Sequence, residues 1–216
     1  MKKDFKITPN TKIYPIAAVF DISSSMSHLE PVLNRAAKNL RTQPNLSERD
    51  ANNVLVTLIT FNSDVKVYDT VPLSQFDPPY MKTEGCTSMG AAIESAIDRL
   101  DSLKLSMKGV RMNKPAIFML TDGYPTDEVR PAISKLKESN YSFYGFGLNE
   151  DAVNAIAQIS PNHDAFLINS SDNGESLIYP FIDFVSESIC EVSQKREGES
   201  AMLSVPANTQ YIVQKT

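Results

Sequence analysis

The feature that most constrains the chain is the run Tyr14-Pro15-Ile16-Ala17-Ala18-Val19-Phe20, which stops abruptly in Asp21-Ile22-Ser23-Ser24-Ser25. A continuous apolar stretch bounded by polar residues fits a strand covered on both faces, as in a parallel sheet with helices on either side. Asp21 then stands at the carboxyl edge of that sheet, where open α/β folds bind their ligands. Asp21, Ser23 and Ser25 present oxygen donors at alternate positions, which a compact loop can turn towards one point. Hard oxygens suit Mg²⁺ or Mn²⁺, with Ca²⁺ also compatible. Taken alone, the Asp-x-Ser-x-Ser spacing is more often a polar turn than a metal site.

The rest of the chain supplies the alternation such a sheet needs. Ser27-His28-Leu29-Glu30 has the form of a capping box, and Leu33, Ala36, Ala37 and Leu40 share one face, which predicts a helix over 29–40. Residues 54–61 are rich in β-branched side chains and read as a central strand, which the turn Asn62-Ser63-Asp64 reverses into an antiparallel edge strand at 65–68. Pro72, Pro78 and Pro79 make 71–82 an extended surface connection. Met89, Ala92, Ile93, Ala96, Ile97 and Leu100 then recur at helical spacing, so Thr87 or Ser88 stands at a helix N-terminus. Residues 115–121 repeat the form of the first strand and end in Asp122-Gly123. Thr126-Asp127 opens a further helix; strands at 141–147 and 165–168 alternate with helices at 151–159 and 174–192. The expected class is α/β, a doubly wound, mostly parallel central sheet with one antiparallel edge strand and helices on both faces.

A chain of 216 residues accommodates one such domain, 1–192, and leaves 193–216 as a C-terminal extension, extended or flexible, with at most a short strand near Tyr211-Ile212-Val213. The net charge of -5 gives no reason to expect nucleic acid, which wants a basic surface. Cys86 and Cys190 are too few for a disulfide framework or a four-sulfur metal site. Met1-Lys2-Lys3 is not followed by an apolar segment of signal or membrane-spanning length, so the expectation is a cytoplasmic monomer with no membrane partner.

Three loops therefore contribute oxygen ligands: Asp21, Ser23 and Ser25 after the first strand, Thr87 before a helix, and Asp122 after a central strand. In this order and on these elements they resemble the metal-ion-dependent adhesion site of von Willebrand factor A (VWA) domains, over roughly residues 13–192. Leu120-Thr121-Asp122-Gly123-Tyr124-Pro125-Thr126-Asp127 is similar, more narrowly, to the bacterial tellurite-resistance-associated members. The resemblance implies a VWA/Rossmann-like fold and a metal held by Asp21, Ser23, Ser25, Thr87 and Asp122. It also implies roles: the hydroxyls coordinate directly or nearly so, the aspartates act partly through water, and a Glu or Asp of a partner protein fills the open position. Ile22 departs from the small or polar residue many members carry, a difference that bears on loop shape rather than on ligation. The function implied is a non-enzymatic, metal-dependent protein-binding scaffold, in a tellurite-resistance or stress-response type of system.

The rival class is a Mg²⁺-dependent phosphatase-like hydrolase using Asp21 as nucleophile. It wants a second acid where Ser23 stands, and no Gly-rich phosphate loop or Ser-His-Asp pattern accompanies it. His28 and His163 lack a third zinc ligand, and Cys86 reads as a small buried residue. Asp64, Asp127 and Asp151 read as turn and cap residues.

Overall fold

The computed structural model describes residues 12–42, 46–160, 164–168, 175–194 and 209–212. In chain order the elements are β1 (Lys12–Asp21), a 3-10 segment (Ser24–Leu29), α1 (Glu30–Asn39), α2 (Glu48–Asn53), β2 (Val54–Phe61), β3 (Val65–Val67) and β4 (Val71–Pro72). A short 3-10 turn (Leu73–Gln75) leads to α3 (Met89–Ser106), β5 (Arg111–Met112), β6 (Ala116–Thr121), α4 (Arg130–Ser139) and β7 (Ser142–Gly147). The chain continues through α5 (Glu150–Ile159), β8 (Ala165–Ile168), α6 (Glu175–Gln194) and β9 (Thr209–Ile212).

The sheet runs β3-β2-β1-β6-β7-β8-β9, with β4 also on β2 and β5 also on β1. β1 is buried from Ile13 to Asp21 and lies parallel to both β2 and β6, so its apolar run is explained by neighbours on both edges and helices on both faces. Successive side chains point to opposite faces. Tyr14, Ile16, Ala18 and Phe20 join the core under α1 and α6; Ala17 and Val19 join the core under α3, α4 and α5. Phe20 meets Phe181 of α6 edge-on at 5.4 Å, and Phe146 stacks on Phe166 at 4.8 Å. On the opposite face β7 lets α5 come unusually close: a Cβ on Gly147 would lie 2.5 Å from the backbone nitrogen of Val153.

Strand order reverses between β1 and β6, because β2 is added on one side of β1 and β7 and β8 on the far side of β6. Their carboxyl ends carry Asp21 and Thr121-Asp122, which places the oxygen-bearing loops at the topological switch point. The expected mostly parallel, two-sided sheet is the one observed, with β3 as its antiparallel edge strand. β4 and β9 add two more antiparallel pairings, on β2 and β8.

Local differences have physical causes. The helix expected over 29–40 is a 3-10 segment followed by α1, and Glu30 does not reach back to cap it because its carboxylate is taken by Tyr80 and Thr83. Residues 71–82 are not a surface strap: Val71 and Pro72 pair with Val56 and Leu55, and Leu73, Phe76 and Met81 are buried. The helix expected from Thr126-Asp127 starts at Arg130. α2 was hidden by its shortness; Ser47 caps it by accepting from Asp50 N–H at 3.1 Å. Of the C-terminal extension, Ser193 and Gln194 close α6 and Thr209–Ile212 pairs with β8; the remainder of 193–216, Val213 included, lies outside the described residues. Among the described residues no helix is long and apolar enough to cross a membrane.

Candidate metal centre

Asp21 is fully buried, and both its oxygens are engaged from inside the fold. Oδ1 accepts from the Ser23 N–H at 2.8 Å, and Oδ2 accepts from the Thr121 hydroxyl at 2.5 Å. The first bond closes a tight turn that throws Ser23 and Ser25 forward; the second ties the ends of two neighbouring strands together. Burial pushes the Asp21 carboxyl up to about 6, with nearby Asp122 adding to the rise and hydrogen bonds from Ser23 and Thr121 opposing it.

Beyond Asp21 the oxygens line up outward. Ser23 Oγ and Ser25 Oγ are 3.1 Å apart, and Ser25 Oγ donates to Asp122 Oδ1 at 2.6 Å across 97 residues of sequence. Thr87 is buried behind them; a Cβ on Gly123 would lie 3.5 Å from its Oγ1, which puts that hydroxyl against the Asp122-Gly123 peptide. The fold thus brings Ser23, Ser25 and Asp122 into direct contact, sets Thr87 beside Gly123, and keeps Asp21 beneath Ser23. Ser25 is exposed and Asp122 half-exposed, so the cluster has a buried floor and an open rim.

Neighbouring segments hold each of these loops. The Glu84 N–H donates to Ile22 O at 2.8 Å and the Ser24 N–H to Gly85 O at 3.0 Å, which zips the segment before Thr87 onto the serine loop. Gly85 does this at φ 79, a conformation that favours glycine. α1 supports the same segment: buried Asn34 exchanges bonds of 2.7 and 2.8 Å with the Met81 backbone, and Glu30 accepts from Thr83 N–H, the Thr83 hydroxyl and the Tyr80 hydroxyl. Asn149 caps α5 with its Oδ1 and donates from Nδ2 to the Asp122 carbonyl.

Thr121 and Asn149 escaped the sequence reading. Thr121 carried a usable signal, a hydroxyl closing an apolar strand directly before Asp-Gly; Asn149 offered only a helix cap. Cys86, expected buried, is exposed because the Gly85 turn faces it outward. His28 donates from Nδ1 to the Ser25 carbonyl at 2.9 Å, as a backbone brace.

The donor set is two carboxylates and three hydroxyls, with no nitrogen or sulfur. Hard divalent cations prefer such a set, so the residues fit Mg²⁺ or Mn²⁺. Among the described residues no cluster of three or more His, Cys, Asp or Glu side chains forms, so a metal here would rely on the hydroxyls.

The family model of the von Willebrand factor type A domain matches residues 16–179. A search of curated proteins finds no match. Among solved structures, the pilus adhesin SpaC of Lactobacillus rhamnosus GG is similar at a TM-score of 0.64 and 16% identity, over 85% of this chain and 31% of that one. The ArnB paralog VWA2 of Sulfolobus acidocaldarius is similar at 0.54 and 18%, over 82% of this chain and 45% of that one. Proximal thread matrix protein 1 of the mussel byssus is similar at 0.52 and 16%, over 84% and 46%. The chain therefore spans less than half the length of these structures, and identities this low speak for the fold alone.

Proposed function

Because the chain belongs to the von Willebrand factor type A domain family, we propose that it is a metal-dependent protein-binding module. Asp21, Ser23, Ser25, Thr87 and Asp122 would hold one Mg²⁺ or Mn²⁺, with Ca²⁺ also compatible, and a Glu or Asp of a partner protein would complete the shell. Domains of this family commonly mediate protein–protein interactions, and the finer reading rests on one observation. Ser23, Ser25 and Asp122, from two distant loops, already touch through oxygen atoms at the open edge of the sheet.

When bound, the ion supplies an electropositive point that attracts an anionic oxygen from outside. The chain's own residues do the rest. Asp21 fixes the serine turn from below, Thr121 fixes Asp21, and Asn149 fixes the carbonyl of Asp122. Around the rim, Tyr80 and Tyr124 are exposed aromatic side chains on the loops flanking the site, able to choose which protein carries the carboxylate.

The reading is of a non-catalytic scaffold. A hydrolase using Asp21 as nucleophile would need a carboxylate oxygen free to attack, whereas both are engaged and the side chain is fully buried. A cytoplasmic monomer in a tellurite-resistance or stress-response system belongs to the same proposal, supported by the resemblance of residues 120–127.

Affinity capture in Mg²⁺ and in EDTA, with wild type and Thr87→Ala, tests the proposal. Capture should vanish in EDTA, return with Mg²⁺ and weaken in Thr87→Ala. A partner held equally well in all conditions would show that recognition lies elsewhere.

A further inference from the structure

Asp127 reads from the sequence as a cap for the helix that follows it, yet α4 starts at Arg130 and its N-cap, Val129, makes no side-chain bond. The carboxylate is used elsewhere. Its Oδ1 accepts from the Gly90 N–H at 3.1 Å and its Oδ2 from the Ala91 N–H at 2.8 Å. These are the second and third residues of α3, whose own N-cap, Ser88, makes no capping bond because its hydroxyl donates instead to the Ser63 carbonyl at 3.1 Å. The first N–H groups of a helix have no partner within it. Here an aspartate from a distant loop satisfies two of them, with its charge at the favourable end of the helix dipole.

The residue before it completes the clasp. The Thr126 N–H donates to the Thr87 carbonyl at 2.8 Å, and Thr126 Oγ1 accepts from the Thr87 N–H at 3.2 Å. Both backbone polar groups of Thr87 are thereby held by the loop that carries Asp122. The two segments also touch without side chains between them, since a Cβ on Gly90 would lie 2.5 Å from the Glu128 carbonyl oxygen. That close approach explains a glycine in the first turn of α3, where one is otherwise unfavourable.

We infer that Asp127 is a positioning residue of the metal centre: it locks the first turn of α3 to the Asp122 loop, and so holds the Thr87 hydroxyl where it can share an ion with Asp122. The inference rests on the metal reading above and names a residue outside its ligand set. Without the carboxylate, two helix N–H groups lose their partner and the segment carrying Thr87 is tied to the Asp122 loop by Thr126 alone. Groups that orient metal ligands typically contribute on the order of tenfold to a hundredfold in affinity.

The test is a Mn²⁺ titration followed by electron paramagnetic resonance on wild type, Asp127→Ala, Asp127→Asn, Thr87→Ala and the Asp127→Ala/Thr87→Ala double variant. Asp127→Ala should weaken Mn²⁺ on the order of tenfold. Asp127→Asn, which keeps one acceptor oxygen, should recover part of that loss. The double variant should bind no more weakly than Thr87→Ala, because Asp127 acts through Thr87. Gly90→Ala, which removes no hydrogen-bonding group but pushes on the Glu128 carbonyl at 2.5 Å and on Asp127 Oδ2 at 3.1 Å, should weaken Mn²⁺ in the same way, and serves if Asp127→Ala does not fold. Wild-type affinity in both Asp127→Ala and Gly90→Ala, or losses that multiply in the double variant, would overturn the inference while leaving the metal reading in place. Thr87→Ala binding as wild type does would instead overturn the metal reading, and this inference with it.

Discussion

Replacing Thr121 by Val keeps the shape of a fully buried side chain and deletes one hydroxyl. That hydroxyl donates to Asp21 Oδ2 at 2.5 Å and accepts from the Gly123 N–H at 3.2 Å, so it joins the ends of β1 and β6 and shapes the turn after β6. A hydrogen bond to a charged group contributes about 1.5–3 kcal/mol, and its loss here leaves a carboxylate oxygen buried without that donor. Taking about 2 kcal/mol, a domain of this size should melt about 4–8 °C lower. The assay is scanning calorimetry in EDTA, so that no ion contributes, at a pH well above the value of about 6 to which burial raises the Asp21 carboxyl. A melting point within about 1 °C of wild type would refute the reasoning, because it would mean that Asp21 does not depend on Thr121 for its solvation.

Gly147→Ala should destabilise the fold by about 1–3 kcal/mol, since the new Cβ meets the Val153 backbone at 2.5 Å and the first turn of α5 must shift; an unchanged denaturant midpoint would contradict this. The Glu30 carboxyl is lowered from its ordinary value of 4.5 to about 2, first by the Thr83 hydroxyl and then by the Tyr80 hydroxyl. A depressed value in the folded state means that the clasp is fully present above pH 4.5 and is lost as pH falls towards about 2. Amide protection at Thr83 should decline over that window and become insensitive to it in Glu30→Gln; a flat wild-type profile would sink the idea. Cys86 is exposed, whereas Cys190 is partly covered and its thiol is pushed up by burial and by nearby Glu187 and Asp50. A thiol reagent should label Cys86 first in the native protein, and the reverse order would count against the placement of the Gly85 turn.

The parts of the fold legible in the sequence were those with long periodic signals. The run from Ile13 to Phe20 is buried on both faces, and α3 buries Met89, Ala92, Ile93, Ala96, Ile97 and Leu100, the positions its spacing marked. Elements of two to six residues, such as β4, β5 and α2, carry too few positions for a period to register. The candidate site reads in the sequence as residue types in order along the chain, and the fold brings two of those candidates, Ser25 and Asp122, into contact. The second layer was not legible. Thr121, Asn149, Thr126 and Asp127 act through bonds to residues far away in sequence, and local propensity reads such side chains as caps and turns. Cys86 shows the same limit, since one positive-φ glycine decides whether its neighbour faces in or out.

The most direct test of the central claim is a calorimetric titration of the chain with Mn²⁺, alongside Asp21→Ala/Asp122→Ala. Two buried or half-buried carboxylates and three hydroxyls should bind one ion per chain, and the double variant should bind none at the same concentrations. Equal heats and equal stoichiometry for the two proteins would contradict the assignment of the metal to this cluster.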